Sequence, residues 1–412
     1  MARKALVLVE GHRSNGPLYI QAAERLGLHP ITLSTDPNQY DYLASQRTET
    51  IRVDTNNLGA MIRECSQLRA RYDIGGITGF SGLDESFYVT VAKLCRHFGL
   101  PGPNPASVEG CCDKFTQRQL LAESGIPMPI YRLAVSATEV NNAAAEIGLP
   151  AIVKPTVGSG SNGVRLCRNL DEVAEHAGDL LSGRRTRPPS ARLLVEEFAQ
   201  GPSYTALMMG NEVVGITCTD FGPPPHFVYR EFTYPAMLTD QEYKIIADIS
   251  LSCLRALGLG WGPANIEFRW TKRGPLVIEV NPRLAGGDPQ LVQLAHGIDL
   301  ANEHLKIVIG DEWDLRKTCS HAAAMRFLVP DRDGTLDWIG SDNRAAALPG
   351  VVEVRFYKER KTPFVRKGDY RDCIGHVIAA SPTATRTAAT LKRAVDLIDW
   401  SITPFPDVRA QE

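Results

Sequence analysis

No C-x-x-C pair occurs anywhere in these 412 residues, although nine cysteines are present. The adjacent Cys111 and Cys112 cannot both serve one tetrahedral zinc site, and an odd count does not describe a disulfide framework. Nine reduced thiols are therefore expected. Charge of one sign is also lacking: 45 Lys and Arg stand against 47 Asp and Glu, a net charge of -2. Nothing in that balance asks for a long polyanion, so nucleic acid is not an expected partner. Long hydrophobic runs are missing too. The five-residue run before Glu10 is too short for a signal-peptide core, and no later stretch approaches eighteen unbroken apolar residues. A cytoplasmic protein with no membrane partner is expected. Repeats and low-complexity tracts are absent. What remains is an ordinary soluble composition, 43% apolar and 22% charged, long enough for two to four domains.

Strands alternate with helices in the first hundred residues. "ALVLV" (5–9), "ITLST" (31–35), "TIRVD" (50–54) and "GGITGF" (75–80) read as strands, with helical patterns at 18–27, 58–70 and 83–98. That order predicts an open parallel α/β sheet. Gly11 and Gly16 lack dinucleotide-loop spacing and read as a chain reversal. Ser81, Asp84 and Glu85 follow the last strand at the sheet's C-terminal edge, where ligands bind in such folds. "LPGPNPAS" (100–107) marks a boundary. Beyond it, Asp113 caps a helix that stops at Gly125. "YTALMMGNEVVGITCTDFG" forms a hairpin about Gly210-Asn211, and a helix is expected over 240–257. The last hundred residues hold strands near 323–329, 351–356 and 375–380, then a helix over 383–396.

Two clusters carry chemistry. In "AIVKPTVGSGSNGV" (151–164), Lys154 ends a strand and the glycines follow it, the reverse of a P-loop. A lysine on a strand can lie along an extended polyphosphate, while Gly158-Ser159-Gly160-Ser161 and Gly163 offer backbone N–H groups with no bulk to block approach. In "NIEF" and "VIEVNPR", Glu267 and Glu279 each sit between apolar neighbours, so each projects away from an apolar face. Asn281 lies two residues beyond Glu279, on the same side. If the "TKRG" turn pairs these strands, three oxygen donors converge, a hard-cation set suited to Mg²⁺ shared with phosphates. Arg283, two further on, can reach the same phosphates or a carboxylate.

The ordered set "CCDKFTQRQLLAESGIPMP", "IVKPTVGSGSNGV", "LVEEFAQG", "ANIEFRW" and "VIEVNPRLAGG" resembles the ATP-grasp superfamily across most of the chain. Within it, "NPRLAGGDPQLVQLAHGIDL" resembles the carboxylate–amine ligase branch that includes L-amino acid ligases and dipeptide synthetases. The resemblance implies a parallel α/β pre-ATP-grasp domain over 1–108. An ATP-grasp domain over 109–312 would follow, with a glycine-loop lid at about 127–200, and then an α+β domain over 313–412. It implies ATP phosphates on Lys114 and Lys154 and the glycine loop over the triphosphate. Adenine would meet the hinge Glu196, Glu197, Phe198 and Ala199, through the backbones of Glu197 and Ala199. Two Mg²⁺, or Mn²⁺ in their place, would lie on Glu267, Glu279 and Asn281. Arg283 would steady the transferred phosphoryl group, with Lys154 beside it. Gly286, Gly287, Arg230, Glu231, His226, Ser81 and Glu85 are candidates for the substrate pocket.

Two departures qualify the likeness. Ser203 stands where many relatives carry an acidic ribose ligand. In the loop matching "FVYREFTYPA", Tyr229, Glu231 and Phe232 replace an "E-x-G-H" segment. Arg230 and Glu231 there read as a charged pair suited to an amino acid, and His226 as a solvent-facing histidine. The implied activity joins an acid to an amine through an acyl phosphate, releasing ADP and phosphate, in a homodimer as often among relatives. A bicarbonate-activating carboxylase-type enzyme and a non-catalytic ATP-binding module are the alternatives.

Overall fold

A computed structural model describes residues 2–80, 86–186 and 189–405. Its first sheet is parallel, with spatial order Glu49–Arg52, His29–Ser34, Arg3–Val9 and Tyr72–Gly79. Val7 and Val9 face Ile31, Leu33 and Met61 in one core, while Leu6 and Leu8 face the helix Asn15–Arg25 in another. Burial on both faces is why these strands read as unbroken apolar runs. Ser81 and Glu85 lie outside the described residues. The helix expected over 83–98 is described as Ser86–Phe98.

Residues 105–107, read from sequence as part of a boundary, open the helix Pro105–Cys112. Asn104 caps it by accepting from the Ala106 N–H at 2.9 Å. Proline suits the first helical turn, where its missing N–H is not needed. Lys114–Glu123 follows with Asp113 as its N-cap, accepting from Thr116 N–H at 2.8 Å.

A four-stranded antiparallel sheet comes next, in the order Tyr131–Ala134, Leu193–Glu197, Ala151–Pro155 and Arg165–Cys167. Ala151, Val153, Leu193 and Val195 pack under the helices Ala137–Ile147 and Leu170–Leu181. Strand alternation therefore sends Lys154 and Glu196 to the opposite face together.

The largest sheet has eight strands. In order these are Gly274–Asn281, Pro263–Thr271, Ser203–Met209, Glu212–Phe221, Tyr229–Tyr234, Ala322–Leu328, Gly375–Ser381 and Val351–Phe356. Ala206, Met208, Ile266, Phe268, Val277 and Val280 on one face meet the helix Asp240–Leu257, whose bounds match the sequence expectation. Thr239 and Glu242 form its capping box and Gly258 closes it at φ 64°. On the other face, Phe232, Tyr234, Met325 and Ile378 pack against Asp288–His296 and Leu300–Ile309. The segment expected as a substrate loop, 227–236, is a correction: residues 229–234 are an interior strand, bonded to both neighbours. Their β-branched and aromatic content, with Phe232 and Tyr234 alternating inward, favours that outcome. A small sheet, Thr362–Phe364, Gly334–Gly340 and Asp399–Thr403, was not anticipated.

All nine cysteines are free. No helix among the described residues is long and apolar enough to cross a membrane.

Candidate active site

The "TKRG" hairpin forms, and its register sets Glu267 directly opposite Glu279 and Asn265 opposite Asn281. Glu267 also faces Thr205 on its other side. The alternation expected around Glu279 fails in one respect. A bulge between Glu267 and Phe268 inserts Ile278, so Val277 and Val280, three apart, share the buried core. Such an insertion re-aims side chains without unpairing the strand. Asn281 Nδ2 donates to Asn265 Oδ1 at 3.2 Å and to Glu267 Oε1 at 3.5 Å. Asn265 in turn donates to the Arg283 carbonyl at 2.9 Å, tying the arginine's backbone to the carboxylate strands. Asn265 was missed in the sequence, where "AN" ahead of "IEF" carries no separate signal.

Burial, then the facing Glu279, raises the Glu267 pKa to about 7. Burial acts the same way on Glu279, but Lys114 and Lys154 outweigh it and hold that carboxyl below its ordinary value. Lys114 Nζ lies 2.9 Å from Glu279 Oε1 and donates to the Gly158 carbonyl at 2.5 Å. One side chain thus links the carboxylate hairpin to the glycine loop.

The helix Lys114–Glu123 buries three polar side chains, Lys114, Gln117 and Arg118, beside Leu121. Gln117 brackets Val280, donating to its carbonyl at 2.7 Å and accepting from its N–H at 2.9 Å. Arg118, 1% exposed, donates to Glu196 Oε1 at 2.7 Å and to the Ile278 carbonyl at 2.6 Å. Glu196 meets Lys154 Nζ at 2.5 Å through its other oxygen. Burial and the neighbouring Arg118 lower the Lys154 pKa, with Glu196 opposing them; the two cations keep Glu196 ionised against its own burial. Gln117 and Arg118 were not singled out in the sequence. Their i+3 and i+4 spacing from Lys114 was the available signal.

The glycine loop docks onto the C-terminal region. Tyr370 N–H donates to the Gly160 carbonyl at 3.4 Å, and Arg371 donates to Asn162 Oδ1 at 3.1 Å. A Cβ on Gly160, whose φ is 63°, would come within 2.5 Å of the Tyr370 ring, so glycine is required there. Gly158, Ser159, Ser161 and Gly163 complete the loop, Ser161 also at positive φ. Residues 367–372 gave no sequence signal for this contact.

At the hinge, the Glu197 N–H is used by the Ile130 carbonyl at 2.8 Å, and the Glu197 carboxylate pairs with Arg273. Phe198 stands 6.4 Å from Phe227, and Ala199 is buried. Ser203 donates to the Phe268 carbonyl at 3.2 Å. Its partner across the strands is Arg269, whose guanidinium lies 5.0 Å from the Phe221 ring and 5.7 Å from Phe227.

Of the expected substrate residues, Gly286 lies beside His12 and Gly287 against Met325 and Phe232. His12 adjoins Arg283 in a small cavity with Asn15, Tyr19 and Phe80. Its Nδ1 accepts from the Asn15 N–H at 3.2 Å. Burial, with Arg283 nearby, pushes its pKa down to about 4, so the neutral ring carries its proton on Nε2. Two expectations need correction. Arg230 and Glu231 are not a pair, because Glu231 bonds Arg326 on the adjacent strand at 2.7 Å. His226 is half-buried against Gly368, where burial lowers its pKa.

The residues fit a hard divalent cation. Of the two carboxylates held across one strand pair, Glu279 is met by Lys114 while burial and the facing Glu279 leave Glu267 short of positive charge, and the donors are all oxygens. Among the described residues no group of three or more His, Cys, Asp or Glu could hold a metal ion; this set is two carboxylates with an amide.

Three family models match the chain. They are the ATP-grasp N-terminal domain at 20–102, the carbamoyl-phosphate synthase L chain ATP-binding domain at 113–316, and the L-amino acid ligase C-terminal domain 2 at 326–403. The uncharacterized protein y4rH of Sinorhizobium fredii is 56% identical over 411 residues, which cover 100% of this chain and 85% of y4rH. Carnosine synthase 1 of Homo sapiens is 26% identical over 95% of this chain, which spans half of that protein. The crystal structure of L-amino acid ligase from Bacillus licheniformis superposes with a TM-score of 0.80 at 18% identity, covering 98% of this chain and 100% of that one. The chain belongs to the ATP-grasp superfamily, on its carboxylate–amine ligase branch.

Proposed function

We propose that this protein is an ATP-dependent ligase that joins a carboxylic acid to an amine, in a peptide-like amide bond, through an acyl phosphate. The observation that carries the reading is the cross-strand pair Glu267–Glu279, with Asn281 beside it and Lys114 bridging to the glycine loop. The names of two relatives, carnosine synthase and L-amino acid ligase, support it.

A carboxylate is a poor acyl donor because oxide is a bad leaving group. In the proposed reaction a carboxylate oxygen attacks the γ-phosphorus of ATP, the bond to the β,γ-bridging oxygen breaks, and ADP leaves. The amine then attacks the acyl carbon, its proton is lost, and phosphate departs with the C–O bond's electrons. Glu267, Glu279 and Asn281 would hold Mg²⁺, which when bound neutralises the growing charge on phosphate oxygens. Lys114 and Lys154 set cations beside the phosphates. Arg283, placed by Asn265 through its carbonyl, faces the transferred group. His12 offers an Nε2–H donor next to Arg283. The glycine loop, held by Tyr370 and Arg371, excludes water, which would otherwise hydrolyse the acyl phosphate.

The test is product analysis with MgATP and a panel of acids and amines. ADP and phosphate should form only when an acid and an amine are both present. Formation of AMP and pyrophosphate contradicts the reading.

A further inference from the structure

The sheet face that carries Glu267 continues across Thr205, Thr217 and Thr219 to the strand Tyr229–Tyr234. There a second bulge interrupts alternation. Thr219 pairs with Phe232 and Asp220 with Glu231, but Phe221 pairs with Tyr229, leaving Arg230 as the extra residue. Tyr229 and Phe232, three apart, therefore reach the same face, which regular alternation would forbid. Their ring centroids are 5.1 Å apart. Phe221 lies 5.2 Å from Tyr229, and Phe327 lies 6.1 Å from Tyr229 and 5.1 Å from Phe232.

These four rings are not all core. Phe232 is 6% exposed, but Phe221, Tyr229 and Phe327 are only half-buried. The row also abuts the phosphoryl-handling segment. Gly287, four residues after Arg283, leaves a Cβ position 3.8 Å from the Phe232 ring and 3.2 Å from Met325 Cε. Tyr229 lies within the electrostatic reach of Glu267, Glu279, Asp288 and Arg283. After burial, the three acids raise its hydroxyl pKa and the arginine opposes them. The charged candidates on this strand do not face that space as a pair, since Glu231 is bonded to Arg326.

We infer that Tyr229, Phe232, Phe327 and Phe221 form the wall that receives the substituent of the acid being activated, and that this substituent is aromatic. The inference rests on the ligase reading and names the substrate class of that same site. An acid whose carboxylate meets Arg283 and the nucleotide phosphates projects its substituent along the face that begins at Gly287. The surface it meets is a run of ring faces and edges, which favours a planar group over a flexible aliphatic one through stacked and edge-to-face contact. The amine enters after phosphoryl transfer and does not depend on this wall.

The test uses hydroxylamine as the amine, with MgATP, and reads acyl hydroxamate and ADP. The probes are 3-phenylpropionate and phenylacetate against hexanoate, propionate and alanine. The expected result is a kcat/KM for the aryl acids about tenfold or more above hexanoate. Tyr229→Leu, which keeps apolar bulk but removes the ring, should raise the aryl-acid KM about tenfold while the ATP KM stays within about twofold. Phe327→Ala should act in the same direction, and Phe327→Tyr should restore the wild-type KM. Preference for hexanoate or alanine overturns the aromatic wall and leaves the ligase reading standing. So does a shift confined to the hydroxylamine KM in Tyr229→Leu. Absence of ADP and hydroxamate with every acid, in protein that binds MgATP, overturns the ligase reading and the wall with it.

Discussion

Replacing Arg118 by Met removes a guanidinium that is 1% exposed and bonded to Glu196 and to the Ile278 carbonyl. Breaking one side of a buried ion pair costs about 3–5 kcal/mol, because the remaining charge stays out of water without its partner. Glu196→Leu should cost as much, since it leaves two buried cations, Arg118 and Lys154, side by side. The two costs should not add. Once Glu196 is gone, removing Arg118 relieves repulsion, and Lys154, whose pKa burial already lowers, can shed its proton. The double variant should therefore be more stable than the sum of the singles by roughly 2–3 kcal/mol. Urea unfolding of the wild type, both singles and the double, followed by far-UV circular dichroism, supplies the cycle. If the double equals the sum within about 0.5 kcal/mol, the Arg118–Glu196–Lys154 cluster is not one electrostatic unit. The same cluster joins the four-stranded sheet to the Glu279 strand, so Arg118→Met should also raise the ATP KM.

Further outcomes follow from the geometry. Glu267→Gln should lower ligase turnover by about 10²–10³-fold and weaken Mn²⁺ binding, read by paramagnetic resonance of the free ion; unchanged binding would remove Glu267 from the metal set. Stability should fall with acid. Burial sets the pKa of His12 and His176 at about 4 and of His304 at about 3. Between those values and the usual 6.5 each of these imidazoles binds its proton more readily in the unfolded chain. The three together outweigh the opposite effect of Glu267, at about 7 when folded, and Asp288, at about 6, so stability falls as pH drops from about 6.5 toward 4. Urea midpoints at pH 7 and pH 5 check this, and equal midpoints would refute it. Gly160→Ala forces a left-handed alanine at about 1–2 kcal/mol against the Tyr370 ring. It should loosen the loop, raising both the ATP KM and the rate of acyl-phosphate hydrolysis measured as acid-dependent ADP release without amine.

Much of the site could be read in the sequence because two short-range rules apply to it. Strand alternation put Glu267 on the side away from its apolar neighbours, and the four-residue turn paired its strand with that of Glu279 and Asn281. Plain alternation from that turn would face Glu267 with Ile278; the bulge at Ile278 brings Glu279 opposite it. A cap at Asp113 placed Lys114 at the start of its helix. What escaped depends on long-range register or on extra residues in a strand. The bulges at Ile278 and Arg230 break alternation, so the first changed which apolar residues reach the core and the second brought Tyr229 and Phe232 to one face. Glu231 finds Arg326 ninety-five residues away, a partner that no local pattern announces. Arg371 reaches Asn162 across 209 residues. Helices with clear caps, such as Asp240–Leu257, were placed to the residue, whereas the small sheet built from 334–340, 362–364 and 399–403 consists of short strands with weak alternation.

The proposed chemistry is phosphoryl transfer from ATP to a carboxylate at the Glu267–Glu279 pair, which Lys114 bridges to the glycine loop. An isotope experiment tests it most directly. An acid that supports hydroxamate formation is labelled with ¹⁸O in its carboxylate and turned over with MgATP and hydroxylamine, and the released phosphate is weighed by mass spectrometry. One ¹⁸O in each phosphate, with ADP as the nucleotide product, is the predicted result. Unlabelled phosphate, or label recovered in AMP, would contradict the account.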